Sequence, residues 1–344
     1  MLDVAPTTYA YLKTSSGPLL PWRRFRFPIG WDEQFPVSGP LRPGPLHLEV
    51  GFGDGRYTVR RASSAPDERF VGLEISSVSL QRGLSNVRKR DLNNVKLLKV
   101  GAGFAVRHLF APHTLTSITV NFPDPWPKER HEKNRLLQTA FFELAASRLV
   151  PGGAVLLATD HPEYLAFARG QARVSELFVL EEAEPPSAVF ETKYALKWKT
   201  LGKPLFYQVF RYSGLPTPEY PGLERDKTMP HALLSGQLPP RVLFSKQVTP
   251  YAGGHVILHE ALQSLGADDG DSSGEKWLVR ATVEEPELRQ QVLVSVRARG
   301  ERGLIVGLEP FGDPVVTPAT RGAVHAVTEW LLTLPAIEVE TRSY

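Results

Sequence analysis

The segment Asn121-Phe122-Pro123-Asp124-Pro125-Trp126-Pro127-Lys128-Glu129-Arg130-His131 constrains this chain more than any other. It follows Ser117-Ile118-Thr119-Val120, a β-branched run that reads as a buried strand. Prolines at alternate positions then forbid both a helix and regular ladder pairing. Pro125 also restricts Asp124 to an extended backbone. A carboxylate and an indole are thereby set on a stiff loop just past the C-terminal end of a strand. That is the edge where open α/β sheets bind ligands. Lys128, Arg130, Lys133 and Arg135 follow at once. A positioned carboxylate, a large aromatic surface and several cations suit a nucleobase on a phosphate backbone. The segment reads equally as a Pro-rich turn whose Trp126 packs on the core.

At 344 residues the chain is long for one domain, and two are expected. It has no cysteine, which excludes disulfides, thiolate metal sites and cysteine nucleophiles. His255 and His259 are four apart but lack the Glu of a zinc-helix motif, so no metal is expected. No apolar run approaches the ~20 residues a membrane helix needs. Residues 1–20 lack the pattern of a signal peptide, so the expected location is cytoplasmic. Charge is uneven. Residues 1–212 carry 28 Lys and Arg against 20 Asp and Glu, whereas residues 213–344 carry 12 against 17. The asymmetry points to a polyanionic partner for the first part and not the second. A solvated basic face accounts for it as well.

Residues 1–45 show little periodicity and read as an N-terminal arm. Its Trp22-Arg23-Arg24-Phe25-Arg26-Phe27 either ties the arm to the core or stacks on bases. Leu46–Gly51 reads as a central strand running into Gly51-Phe52-Gly53-Asp54-Gly55, and a helix follows to about Ala65. Glycines at this turn allow positive φ and close approach of a ligand. A second strand, Arg69–Ile75, ends in Glu74, placed to accept hydrogen bonds from ribose hydroxyls. Ser76–Arg90 is a helix, and Val95–Val100 and Ser117–Phe122 are further strands. Leu136–Leu149 is a helix closed by Pro151-Gly152-Gly153. Ala154–Asp160 is a fifth strand, His161–Arg173 a helix, and Phe178–Glu182 and Leu205–Tyr212 are late strands. This alternation predicts a doubly wound, mostly parallel seven-stranded sheet. Glu49, Glu74, Asp124 and Asp160 then share one edge if the strands are parallel. Four acids suit a cationic cofactor, a sulfonium, better than a pyrophosphate, and the glycine turn lacks the lysine of a phosphate-binding loop.

These residues resemble the bacterial tRNA (guanine-N7)-methyltransferases. The likeness is carried by Glu49–Gly55, Gly72-Leu73-Glu74, Asn121–Lys128 with Arg130-His131, Pro151-Gly152-Gly153, Thr159-Asp160 and Thr192-Lys193-Tyr194. It spans about residues 46–212. It implies a Rossmann-like class I methyltransferase fold, S-adenosylmethionine as donor and the variable-loop guanosine of tRNA, position 46, as acceptor. Carried over by motif, it implies that Glu49, Gly51, Gly53, Glu74 and Asp124 face the donor, with Asp124 the active-site carboxylate. Lys128, Asp160 and Thr192 are then expected to meet the tRNA. Trp126 is expected to buttress its loop, because large aromatics are mostly buried; stacking on the base is the alternative. Two departures stand out. The family's acid after the third strand is Gly101 here, and the Glu of its T-K-[FY]-E is Ala195. They leave open a non-catalytic or weakly active RNA-binding protein on the same fold, or a methyltransferase for another nucleic-acid base.

Residues 213–240 are Pro-rich and read as a linker. Beyond it, β-rich runs at 241–248, 255–262, 277–283, 291–299 and 304–308 precede a helix at 319–334. They indicate a small C-terminal α+β domain, 241–344, in which no catalytic motif is visible.

Overall fold

The computed structural model describes residues 11–35, 44–223, 229–239, 242–263, 276–300 and 303–344. The acidic run Asp268–Asp271 lies outside them. The chain divides into two compact units that meet in sequence at Gly222 and Leu223.

The first unit alternates strands and helices. They are β1 Leu46–Val50, α1 Arg56–Ser64, β2 Arg69–Glu74, α2 Ser77–Lys89, β3 Val95–Lys99, α3 Ala102–His108 and β4 Leu115–Asn121, followed by α4 Thr139–Arg148, β5 Leu149–Thr159, α5 Pro162–Ser175, β6 Phe178–Glu181, α6 Ser187–Phe190, α7 Lys193–Thr200 and β7 Phe206–Tyr212. The sheet order is β3-β2-β1-β4-β5-β7-β6. The first five strands pair in parallel, and β7 runs antiparallel to both β5 and β6. Strand order reverses between β1 and β4, which opens a crevice at their C-terminal ends.

Local chemistry explains where sequence and structure part. Pro151-Gly152-Gly153 does not end α4 but lies inside β5. Gly152 adopts φ +76°, and the register with β4 jumps from Leu115↔Leu149 to Ser117↔Ala154, a bulge that absorbs the extra residues. Helix α3, too short to announce itself by periodicity, follows Gly101 directly. The stretch before β7 holds α6 and α7, the latter capped by Thr192. The aromatics of the arm are anchored. Trp22 donates from Nε1 to Lys99 O at 2.9 Å, and Trp31 to Leu109 O at 2.9 Å.

The second unit is a seven-stranded antiparallel sheet, β14-β8-β13-β12-β11-β10-β9. Its strands are β8 His231–Ser235, β9 Gln247–Tyr251, β10 Gly254–Gln263, β11 Lys276–Glu284, β12 Arg289–Ala298, β13 Gly303–Leu308 and β14 Glu338–Ser343, with α8 Pro318–Leu332 before the last. Strand β8 falls within the stretch read as linker, so that stretch is partly structural. Alternate valines of β11 and β12 pack with Ala323, Val327 and Trp330 of α8 into one core. Thr317 and Thr320 form a reciprocal capping box at the helix start. No helix among the described residues is long and apolar enough to cross a membrane.

Candidate active site

A cavity of about 560 Å³ opens at the crevice between β1 and β4. The β1–α1 turn forms its floor. Gly51 and Gly53 sit at φ +71° and +58°, in the left-handed region that penalises a Cβ. A Cβ built on either meets nothing within 4 Å and would project into free space. The backbone is thus bare where a ligand would lie against it.

Glu74 closes one side. Its Oε2 accepts from the Gly53 N–H at 3.0 Å, and its Oε1 from the N–H groups of Ile75 and Ser76 at 2.8 and 2.9 Å. These bonds aim the carboxylate across the glycine turn. Glu49 lies beneath, 5% exposed. It accepts from the Thr58 hydroxyl and, at 2.9 Å, from Asn121 Nδ2. Burial pushes its carboxyl up to about 7, against the opposing pull of those two donors.

Asp124 stands on the opposite wall, exposed, with Phe122 and Pro123 beside it. The loop that carries it is strained. Phe122 and Trp126 adopt φ +50° and +42°, conformations that cost bulky residues about 1–3 kcal/mol each. Arg135 holds them. It is 8% exposed and donates from Nε to Pro125 O at 3.0 Å and from Nη2 to Trp126 O at 3.2 Å. Its Nη1 donates to Glu132 at 2.7 Å, and the guanidinium lies 4.6 Å from the Phe167 ring centre. Arg135 therefore is a clamp and not one of the free cations that its charge suggests. The prolines explain why: their loop has carbonyls without ladder partners, and a fork of donors satisfies two of them. Trp126 corrects the expected buttress. It is 36% exposed, its ring edge-on to His131 at 5.7 Å.

The structure thus gathers Glu49, Gly51, Gly53, Glu74, Asp124 and Thr192 around one cavity. Thr192 is 8% exposed, and its hydroxyl is engaged in capping α7: it accepts from Ala195 N–H at 3.2 Å and donates to Val189 O at 2.8 Å. Lys128 and Asp160 are not among the lining residues. Lys128 is exposed beside the 3-10 turn Glu129–Asn134, and Asp160 lies 3.5 Å from Lys203 Nζ. Sequence reasoning missed Asn121 and Thr58 as partners of Glu49. It also passed over Arg56 and Arg82 as cations on the cavity wall. Only the facing of Thr58 toward β1, set by helix phase, would have pointed to it. Glu191, near the missing acid at Ala195, pairs instead with Arg60 at 3.2 Å. Among the described residues no group of three or more His, Asp or Glu is arranged to hold a metal ion.

A doubly wound sheet ending in an antiparallel β7, with a glycine turn after β1 and an acid ending β2, defines a class I methyltransferase fold. The family described as "Putative methyltransferase" matches residues 43–208. The tRNA (guanine-N(7)-)-methyltransferase of Thermus thermophilus is 41% identical over 291 residues, covering 84% of this chain and 90% of that protein. Its counterpart from Deinococcus radiodurans is 40% identical over 314 residues, 89% of this chain and 94% of that protein. The chain belongs to the tRNA (guanine-N7)-methyltransferase family. Alignments of that length run well past Gly222, so both relatives share much of the second unit.

Proposed function

We propose that this protein transfers a methyl group from S-adenosylmethionine to N7 of the variable-loop guanosine, position 46, of tRNA. The observation that carries the reading is the convergence of the bare glycine turn, Glu74 and Asp124 on one cavity. When bound, the donor supplies an electrophilic methyl on a cationic sulfur. Guanine N7 has an in-plane lone pair and no proton, so the chain needs no general base. Its task is positioning and electrostatics. Glu74 is placed for ribose hydroxyls, Gly51 and Gly53 for close backbone approach, and Glu49 and Asp124 for positive charge. On the acceptor side we assign Lys128 and Asp160 on the surface outside the cavity and Thr192 on its wall. The test is methyl transfer from radiolabelled donor to tRNA transcripts with guanosine or adenosine at position 46. Transfer that survives the replacement rejects the position, and no transfer at all favours a non-catalytic RNA-binding protein.

That second reading has one observation behind it. Gly101 lines the cavity with nothing within 4 Å of an added Cβ, so the family's acid is missing and nothing fills its place. Its φ of −71° tolerates any side chain. Gly101→Asp is therefore expected to tighten donor binding about tenfold in calorimetry, the worth of one charge-assisted hydrogen bond. Unchanged affinity would show that the family's contact is not needed in this chain.

The clamp gives a further prediction. Arg135→Ala is expected to slow transfer about 100-fold, since misplacing a positioned group by ~1 Å costs that much. Arg135→Lys is not expected to rescue it, because an ammonium lacks the planar fork. Single-turnover rates decide, and wild-type rates in the alanine variant would remove the clamp from the mechanism.

A further inference from the structure

The face of the sheet beneath α1 carries polar side chains where an apolar layer is expected. His47 and Glu49 of β1 point there, and so do Ser117, Thr119 and Asn121 of β4; the register pairs His47 with Ser117 and Glu49 with Thr119. All five are buried or nearly so. Such groups are costly inside a fold unless they are hydrogen-bonded, and retaining a row of them calls for a reason. Near the cavity, Thr58 and Asn121 both donate to Glu49. Toward the other end, His47 Nδ1 and Ser117 Oγ are 2.8 Å apart. Between the two halves lies a small, partly open pocket of about 10 Å³, walled in part by Glu49, Thr58, His47 and Ser117, which is room for one water molecule. Beyond it His47 Nε2 lies 3.1 Å from Glu68 Oε2, off the ring N–H direction, so neither buried atom has an aligned partner. The Glu68 side chain is 32% exposed and reaches solvent.

We infer that this polar file is a proton path joining Glu49 to solvent at Glu68, through which Glu49 releases its proton when a cation enters the cavity and regains it when the cation leaves. The inference rests on the reading of the cavity as a sulfonium site. In the protonated acid the Thr58 hydroxyl turns to accept from Glu49 Oε2–H. On release it takes that proton and passes its own through one water to Ser117 and His47 Nδ1, while the His47 ring tilts to bring its Nε2–H onto Glu68 and hands that proton on to bulk water. Only O–H and N–H bonds change, and the reverse transfer restores each group. Burial lowers the His47 pKa, so the ring is neutral and has one nitrogen free to accept. Burial also places the Glu49 carboxyl at about 7, so both of its states are populated at neutral pH. The other ionisable groups around it are Asp54, Tyr57 and Arg61 on the α1 side and Arg56, Glu74, Arg82, Asp124, Lys193 and Tyr194 around the cavity. Of these Asp54 pushes the carboxyl further up. His47, Ser117 and Thr58 act through Glu49 and touch no substrate.

The test mixes the full-length protein with S-adenosylmethionine in weak buffer at pH 7 and follows a pH indicator by stopped flow. Wild type is expected to release roughly half a proton per donor bound, in step with binding. Glu49→Gln should release none. His47→Leu should release the same amount, delayed at least tenfold, and Ser117→Ala, which keeps the ring, should show the same lag. No release in wild type overturns the inference, as does release in both relay variants as prompt as in wild type. If the donor fails to bind, the methyl-transfer reading falls separately. The path is then judged on the ligand-free protein by a pH jump followed at the carboxyl infrared band that Glu49→Gln removes. A lag in His47→Leu supports the path, and its absence rejects it.

Discussion

Replacing Asp124 with alanine is expected to lower the methyl-transfer rate by about 10²–10³-fold while the fold persists. The size follows from losing one preorganised electrostatic contact to charge that moves during the reaction. Persistence of the fold follows from position. Asp124 is exposed, and surface substitutions away from caps and buried networks stay within about 0.5 kcal/mol. The loop keeps its shape because Arg135 grips the carbonyls of Pro125 and Trp126, not the Asp124 side chain. Asp124→Asn separates charge from shape. An amide fills the same space and still hydrogen-bonds, so a rate near that of alanine assigns the effect to the negative charge. Single-turnover transfer with matched thermal melting makes the measurement. A near-normal rate in the alanine variant would remove Asp124 from the site.

The parts of the molecule legible in the sequence are those written in periodicity. Strands β1 to β4 lie within about two residues of their expected bounds because their β-branched and apolar runs end at glycine or proline in β1, β3 and β4 and at an acid and serines in β2. Glu49, Glu74 and Asp124 could be placed on one edge because parallel strands deliver their ends together. Asp160 reaches the same edge and still lies outside the cavity, since edge position alone does not say which way a side chain faces. Strand β8 was hidden by the prolines on both sides of it, and the bulge in β5 by a Pro-Gly-Gly that imitates a helix stop. Arg135 was the least legible of all. Its charge is plain in the sequence, but its burial depends on where Pro125, Trp126 and Phe167 are brought by the fold. The Glu49 carboxyl is a similar case, because desolvation is a property of packing.

Glu49→Gln is expected to stabilise the fold at pH 8 by about 2–3 kcal/mol and to abolish proton-linked binding of the donor. The sign follows from the raised carboxyl. Its folded value is about 7, against roughly 4.3 in the unfolded chain. Below pH 4 the group is protonated in both states and costs nothing. Between about pH 4 and 7 the unfolded chain ionises while the folded one does not, so stability falls as pH rises. Above 7 the full penalty stands, about 1.4 kcal/mol for each unit between the two values, before any relaxation around the charge. Glutamine removes that penalty without losing the donors. Its carbonyl accepts from Thr58, and the Asn121 amide can turn, because its Oδ1 is buried without a partner and would accept from the new NH₂. Urea midpoints at pH 5 and pH 8 make the comparison. The gap between variant and wild type should be several-fold larger at pH 8, and an equal gap would mean that Glu49 titrates normally. A buried acid that weakens the fold at working pH belongs with sites where stability is given up for function. In the function proposed above, what is gained is a place for positive charge at the end of β1.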